Sequence, residues 1–228
     1  MPCLASVLIL YRKIATLMSI MLMLTAGVVT VAGAGLTGLS FGELYRLVDR
    51  AVRHPVPLTG VLTVEEATSE GWTTDRYAVH TYPDGQVTTE VERSSRLPRG
   101  LRIREIPGGD LEVRLPGILG ALPIRVTPTD PRALTRQGFR ASDVTPVALA
   151  KALLAQVDRL QRGVRSVVPE GLVGVHLPST RGLPPGVDGA EAGVAPDGTV
   201  RWGCLYRGGE PVYRFRLMVD AGTSNRAG

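Results

Sequence analysis

The sequence predicts an α+β fold, a curved antiparallel sheet covered by an N-terminal helix and one long amphipathic helix. Three observations predict it. Most of the chain after residue 58 alternates apolar and polar residues with a period of two. Turn chemistry separates these runs, as in Pro83-Asp84-Gly85, Pro107-Gly108-Gly109-Asp110 and Pro196-Asp197-Gly198. Only two segments carry helical spacing with recognisable caps.

The chain begins with a different kind of segment. No charged residue occurs from Ile14 to Ser40, and Arg12 and Lys13 stand in front of this run. A basic n-region, an apolar h-region and the small-residue pattern Ala32-Gly33-Ala34 read as a signal peptide or signal anchor over residues 1–34. Gly33, Gly35 and Gly38 also fit G-x-G-x-x-G, the spacing of a dinucleotide-binding turn. The acid such a turn requires should follow after about 20 residues, whereas the first strand-borne candidate, Glu65, lies 32 residues beyond Gly33. The glycines are therefore read as leader and linker, and no cofactor is expected. The body of the protein is expected outside the cytoplasm, periplasmic or otherwise extracytoplasmic, with membrane contact through residues 14–34 if the leader is uncleaved.

Ser40 to Glu43 form an S-x-x-E capping box, so a helix should start there. Phe41, Leu44, Val48 and Ala51 make its apolar stripe, and Pro55 and Pro57 end it. Strands follow. Leu62 and Val64 alternate with Thr63 and Glu65, Tyr77 and Val79 with Arg76 and His80, and Val87, Thr89 and Val91 with Thr88, Glu90 and Glu92. Leu101 and Ile103, then Leu111, Val113 and Leu115, continue the meander with one buried and one wet face.

From Pro116 to Arg140 periodicity is weak, and the segment reads as a long connection with a helical turn near Asp130 to Arg136. Thr145 as N-cap and Pro146 at the first helical position then open a helix expected to run to Arg162, with Gly163 past its end. Val147, Ala150, Leu153, Leu154, Val157 and Leu160 form its stripe. The strand "GLVGVHL" follows, then a Gly/Pro-rich excursion from Thr180 to Ala190. In the last hairpin Val200, Trp202, Cys204 and Tyr206 share one face, and Tyr213, Phe215, Leu217 and Val219 share one on the final strand. The domain is expected over residues 35–220, with a flexible tail over 221–228.

Composition narrows the function. Arg12 and Lys13 account for two of the 26 basic residues, so 24 basic residues face 21 acidic ones in the body, a spread-out net of +3 that is no nucleic-acid footprint. The histidines His54, His80 and His176 are isolated, and no metal-ligand spacing or G-x-S-x-G elbow occurs. Cys204 faces the apolar side of its strand and reads as a buried, inert thiol. Glu65 and Glu66, like Glu90 and Glu92, read as solvent-facing strand residues. No catalytic constellation, metal or cofactor is therefore expected.

Shape remains as the route to function. A sheet with one apolar face and few helices to cover it curls into an unclosed half-barrel with an apolar interior. The order of "FGELYRLVDRAV", "LTGVLTVEEAT", "DRYAVHTYPDGQVTTEVE", "GLRIREI", "LEVRL", a helical insertion and "AGVAPDGTVRWGCLYRGGEPVYRFRLMVD" resembles the exported LolA, LolB and RseB/MucB superfamily over Ser40 to Asp220. That resemblance implies binding of lipid or lipoprotein acyl chains, to carry them or to sense them as a regulator. The expected ligand-facing set is Leu62, Val64, Tyr77, Val79, Leu111, Val113, Leu153, Leu154, Trp202, Phe215 and Leu217, with the helix after Pro146 as a movable cover. The rival expectation is an envelope interaction module that docks a protein partner through its sheet edge and has no cavity.

Overall fold

A computed structural model describes residues 39–82, 86–106, 110–117, 122–127, 130–162, 164 and 166–220. The leader glycines and the turns at Pro83-Asp84-Gly85 and Pro107-Gly108-Gly109 lie outside these residues. So do Gly163 and the expected tail.

Helix α1 spans Phe41–Arg53 and starts as its sequence demands. The Ser40 N–H donates to Glu43 Oε2 at 2.7 Å and the Glu43 N–H donates to Ser40 Oγ at 3.2 Å, so two backbone donors without helical partners are satisfied reciprocally. The Ser40 N–H and the Ser40 hydroxyl, both donating to Glu43 Oε2, hold the Glu43 carboxyl below its usual range. Leu44 and Val48 are the fully buried part of its stripe.

The chain then builds one eleven-stranded antiparallel sheet that does not close into a barrel. Its first arm comprises β1 Leu58–Thr68, β2 Gly71–Thr81, β3 Val87–Arg93, β4 Arg102–Glu105, β5 Leu111–Arg114 and β6 Ile124–Val126. The second comprises β7 Gln161–Arg162, β8 Val173–Leu177, β9 Gly189–Val194, β10 Val200–Arg207 and β11 Glu210–Val219. Each arm is a meander, and the two are joined where β1 pairs with β11, giving the order β6-β5-β4-β3-β2-β1-β11-β10-β9-β8-β7.

Register assigns the faces. Leu62 stands opposite both Tyr77 and Leu217, and Val64 opposite Phe215. These residues define an inner face, which continues through Val79, Val91, Ile103 and Val113 into the first arm. On the other side of Phe215 it continues through Gly203, Ala192 and Val175.

Helix α2 spans Pro146–Leu154, capped by Thr145 Oγ1, which accepts from the Ala148 N–H at 3.1 Å. It packs against β10, β9 and α1, on the inner face of the second arm. It is shorter than its sequence predicts. Gln156 turns inward, only 1% exposed, where its amide donates to the carbonyls of Ser179 and Arg181 at 3.2 and 2.9 Å and accepts from the Ser179 N–H at 3.2 Å. Three bonds to a distant loop replace the continuing helix, and a 3-10 turn at Val157–Arg159 leads into β7. The stripe is also wider and rotated: Leu149, Ala150, Ala152 and Leu153 are buried, while Val147 is 46% exposed.

The connection expected from Pro116 to Arg140 contains β6 and, as expected, a helical turn, at Pro131–Ala133. Strand β9 begins inside the expected excursion at Gly189. The turn at Asp197-Gly198 forms as its chemistry predicts, with Asp197 Oδ1 accepting from the Thr199 N–H at 3.0 Å. Gly198 has φ +83° and packs so closely under α1 that a Cβ there would lie 2.3 Å from the Leu47 carbonyl oxygen, which makes glycine the residue that fits.

Candidate ligand-binding face

The inner face is covered unevenly. Over the second arm, Val175, Leu177, Ala190 and Ala192 are sealed completely beneath α2 and its neighbours. Over the first arm, Val87, Ile103, Leu111 and Val113 are only half-buried, and Ile124 at the edge strand is 40% exposed. Leu122, just ahead of β6, is 78% exposed. Neither helix packs on this arm to the extent that α2 packs on β10, so an apolar surface remains in partial contact with water.

The structure brings Val64, Leu153 and Phe215 into one buried cluster, against which Leu62, Tyr77 and Leu154 pack. Val79 and Leu217, also buried, share the same face by register. Leu111 and Val113 lie on that face farther out, opposite Val126 and Ile124. Trp202 does not belong with them. Its Cα pairs with Arg216, whereas Gly203 pairs with Phe215, so Trp202 points to the outer face. There it packs with Cys204, Tyr206, Val168 and Leu172.

A bulge explains the error. Between Val200 and Trp202 the pairing with β9 shifts, so Val200 stays in the inner cluster while the residues after it change face. The outer side of β10 is then covered by residues 166–172 and closed by polar bonds. Tyr206 Oη donates to Glu191 Oε2 at 2.7 Å, and the Ser166 N–H donates to the same oxygen at 3.1 Å. Burial pushes both the Cys204 thiol and the Tyr206 phenol up, which makes this thiol a poor nucleophile at neutral pH.

Glu66 corrects a second expectation. It lies on the inner face, 6% exposed, rather than in solvent. Its Oε2 accepts from the Arg136 N–H at 2.9 Å and lies 3.6 Å from Arg136 Nε. Asp75, also buried, accepts from the Ser95 N–H at 3.2 Å and from Tyr77 Oη at 3.4 Å. The Arg136 guanidinium reaches Asp75 at 4.0 Å and bonds to Ser95 Oγ. This polar knot clamps the loop carrying Phe139 across one end of the apolar face. Glu66, Asp75 and Arg136 were missed because a single carboxylate in an alternating strand reads as a wet position. The partner that pays for its burial is 70 residues away.

Burial raises the Glu66 carboxyl above its ordinary value of 4.5, and the Arg136 N–H and guanidinium counter this only in part. A carboxyl raised by folding stabilises the fold below its unfolded value, and that contribution fades as pH rises through the folded value. Relative to wild type, Glu66→Gln is therefore expected to gain thermal stability as pH rises from about 4.5 to about 7. Paired melting curves across that interval check this, and a difference that is flat or of opposite slope would refute it.

Among the described residues no group of three or more His, Cys, Asp or Glu side chains could hold a metal ion, and no helix is long and apolar enough to cross a membrane. No family model and no curated protein matches the sequence. Solved structures do match. The chain is similar in structure to LolA superfamily proteins and to MucB. A LolA superfamily protein from Nitrosomonas europaea is 12% identical at a TM-score of 0.33, with 79% of this chain and 92% of that one covered. MucB is 16% identical at a TM-score of 0.44, and the match covers 79% of this chain but 58% of MucB. An uncharacterized conserved protein from Thermus thermophilus is 11% identical at a TM-score of 0.45, over 76% of this chain and 83% of that one.

Proposed function

We propose that the protein is an exported binder of lipid or lipoprotein acyl chains, which it holds against the inner face of the first arm in order to carry or sense them. The observation that supports this reading is the row of half-buried apolar side chains, Val87, Ile103, Leu111 and Val113, which leads to the exposed Ile124 at the sheet edge. An acyl chain laid along that row would remove apolar surface from water at about 25 cal/mol per Å² and would require no polar partner along its length. Leu62, Val79, Leu153, Leu154 and Leu217 form the packed end of the same face. Sensing in the manner of a MucB-like regulator would add a protein partner that reads the loaded state.

The rival reading, docking of a partner along a sheet edge, has less support. The edge strands β6 and β7 are three and two residues long, and short edges offer few free backbone groups to a fourth-party strand.

Native mass spectrometry of the full chain should show retained lipid. The double variant Ile103→Asp/Val113→Asp is expected to weaken binding of a fluorescent fatty acid about tenfold or more, which corresponds to about 1.4 kcal/mol. Because both positions are half-buried, the melting curve should change far less than for a fully buried site. Unchanged binding in a folded variant would end the proposal.

A further inference from the structure

The outer face of the central strands has a character of its own. Arg214 and Arg216 on β11 and Arg76 on β2 lie on it, with Glu65 the acidic residue between them on β1. Arg76 reaches Glu92 at 3.6 Å. Among the described residues no carboxylate lies within ion-pair distance of Arg214 or Arg216, whose cross-strand neighbours are Glu65 and Cys204, and Thr63 and Trp202. The Arg214 guanidinium instead stacks over the Trp72 ring, 4.4 Å from its centroid. Two large apolar side chains stand out of the same face, Trp72 at 42% and Met218 at 45% exposure.

We infer that the outer face of β2, β1 and β11 docks on an anionic lipid bilayer, its arginines on headgroup phosphates and Trp72 and Met218 among the glycerol groups. Guanidinium groups donate to phosphate oxygens in a bidentate fork, and tryptophan favours the headgroup level because it joins an apolar body to an N–H donor. Exposed apolar groups beside unneutralised cations suit a bilayer, which offers both phases at once. The sequence adds proximity. The uncharged run ends at Ser40, directly before α1, and the six residues from Gly35 to Ser40 extend over about 20 Å at most, so a bilayer holding that run is within reach of the domain. This surface is separate from the inner face, and its readout does not depend on acyl-chain binding there.

The full chain reconstituted in vesicles tests it. The sequence has two tryptophans, and Trp202 is 6% exposed, so acrylamide quenching reports on Trp72. In phosphatidylcholine vesicles containing about 30 mol % phosphatidylglycerol, quenching should fall about threefold relative to pure phosphatidylcholine, and about 0.5 M salt should restore it. Arg214→Glu/Arg216→Glu should abolish the protection, while Arg159→Glu/Arg181→Glu, an equal charge change at exposed positions elsewhere, should keep it. If the first double variant fails to fold, the single Arg216→Glu decides, with a partial loss expected. Equal quenching in both vesicle types overturns the inference, as does an equal loss in the control variant. Protection by polyglutamate but not by anionic vesicles would mean an acidic protein partner and would also overturn it.

Discussion

Gly203→Val is expected to disrupt the packing of helix α2 on the sheet severely. Gly203 faces α2 from the inner side of β10, where an added Cβ would sit 2.4 Å from Phe215 Cε1 and 2.6 Å from Leu149 Cδ2. Both neighbours are buried, at 2% and 3% exposure, so neither can move aside into solvent. Overpacking a dense core costs about 1–3 kcal/mol for tolerable insertions, and a branched side chain between a strand and its helix lies beyond that class. With total stability of about 5–15 kcal/mol for an ordinary domain, Gly203→Val should lower the melting temperature by about 10 °C or more, and Gly203→Ala by less. A thermal melt of the two variants checks the order. If Val is tolerated as well as Gly, α2 does not press on β10 as described.

Leu153→Asp should be nearly as severe, by a different route. Leu153 is fully buried at the centre of the inner cluster. Its removal alone costs about 2–5 kcal/mol, and an unpaired carboxylate in its place adds a desolvation penalty that pairing does not offset. Loss of cooperative unfolding is the expected result. Leu154→Asp is the informative contrast. That side chain is only partly buried, so a folded protein is expected, and with it a clean reading of fatty-acid binding. Equal damage from the two variants would mean that α2 is enclosed on all sides.

The first arm could be read from sequence nearly residue by residue because its two faces differ. Leu62, Val64, Tyr77 and Val79 look inward, and Thr63, Arg76 and Glu90 do not, so a period of two carries the register. The caps of both helices were equally legible, since Ser40, Glu43, Thr145 and Pro146 act on backbone groups a few residues away. The second arm was less so. Strand β9, "GAEAGV", is buried along its whole length, and a strand covered on both sides has no alternation to display. The bulge in β10 moved Trp202 to the other face for the same reason: no polar residue marked the change. Gln156 and Glu66 were opaque because their partners, Ser179 and Arg136, lie 23 and 70 residues away.

The pairing of β1 with β11 also governs how the protein is made. These strands are the first and last in the order of the described chain, yet they are adjacent at the middle of the sheet, with Gly60 opposite Val219. Each arm can zip locally as soon as its own hairpins emerge. The centre cannot form until β11 has left the ribosome, because the strand that completes it is synthesised last. Long-range pairing of this kind is slow and leaves strand edges bare while it waits. During synthesis β1 therefore presents an unpaired edge for nearly the whole length of the chain. A polypeptide that withholds its central strand in this way holds two part-folded arms and completes its core only on release from the ribosome.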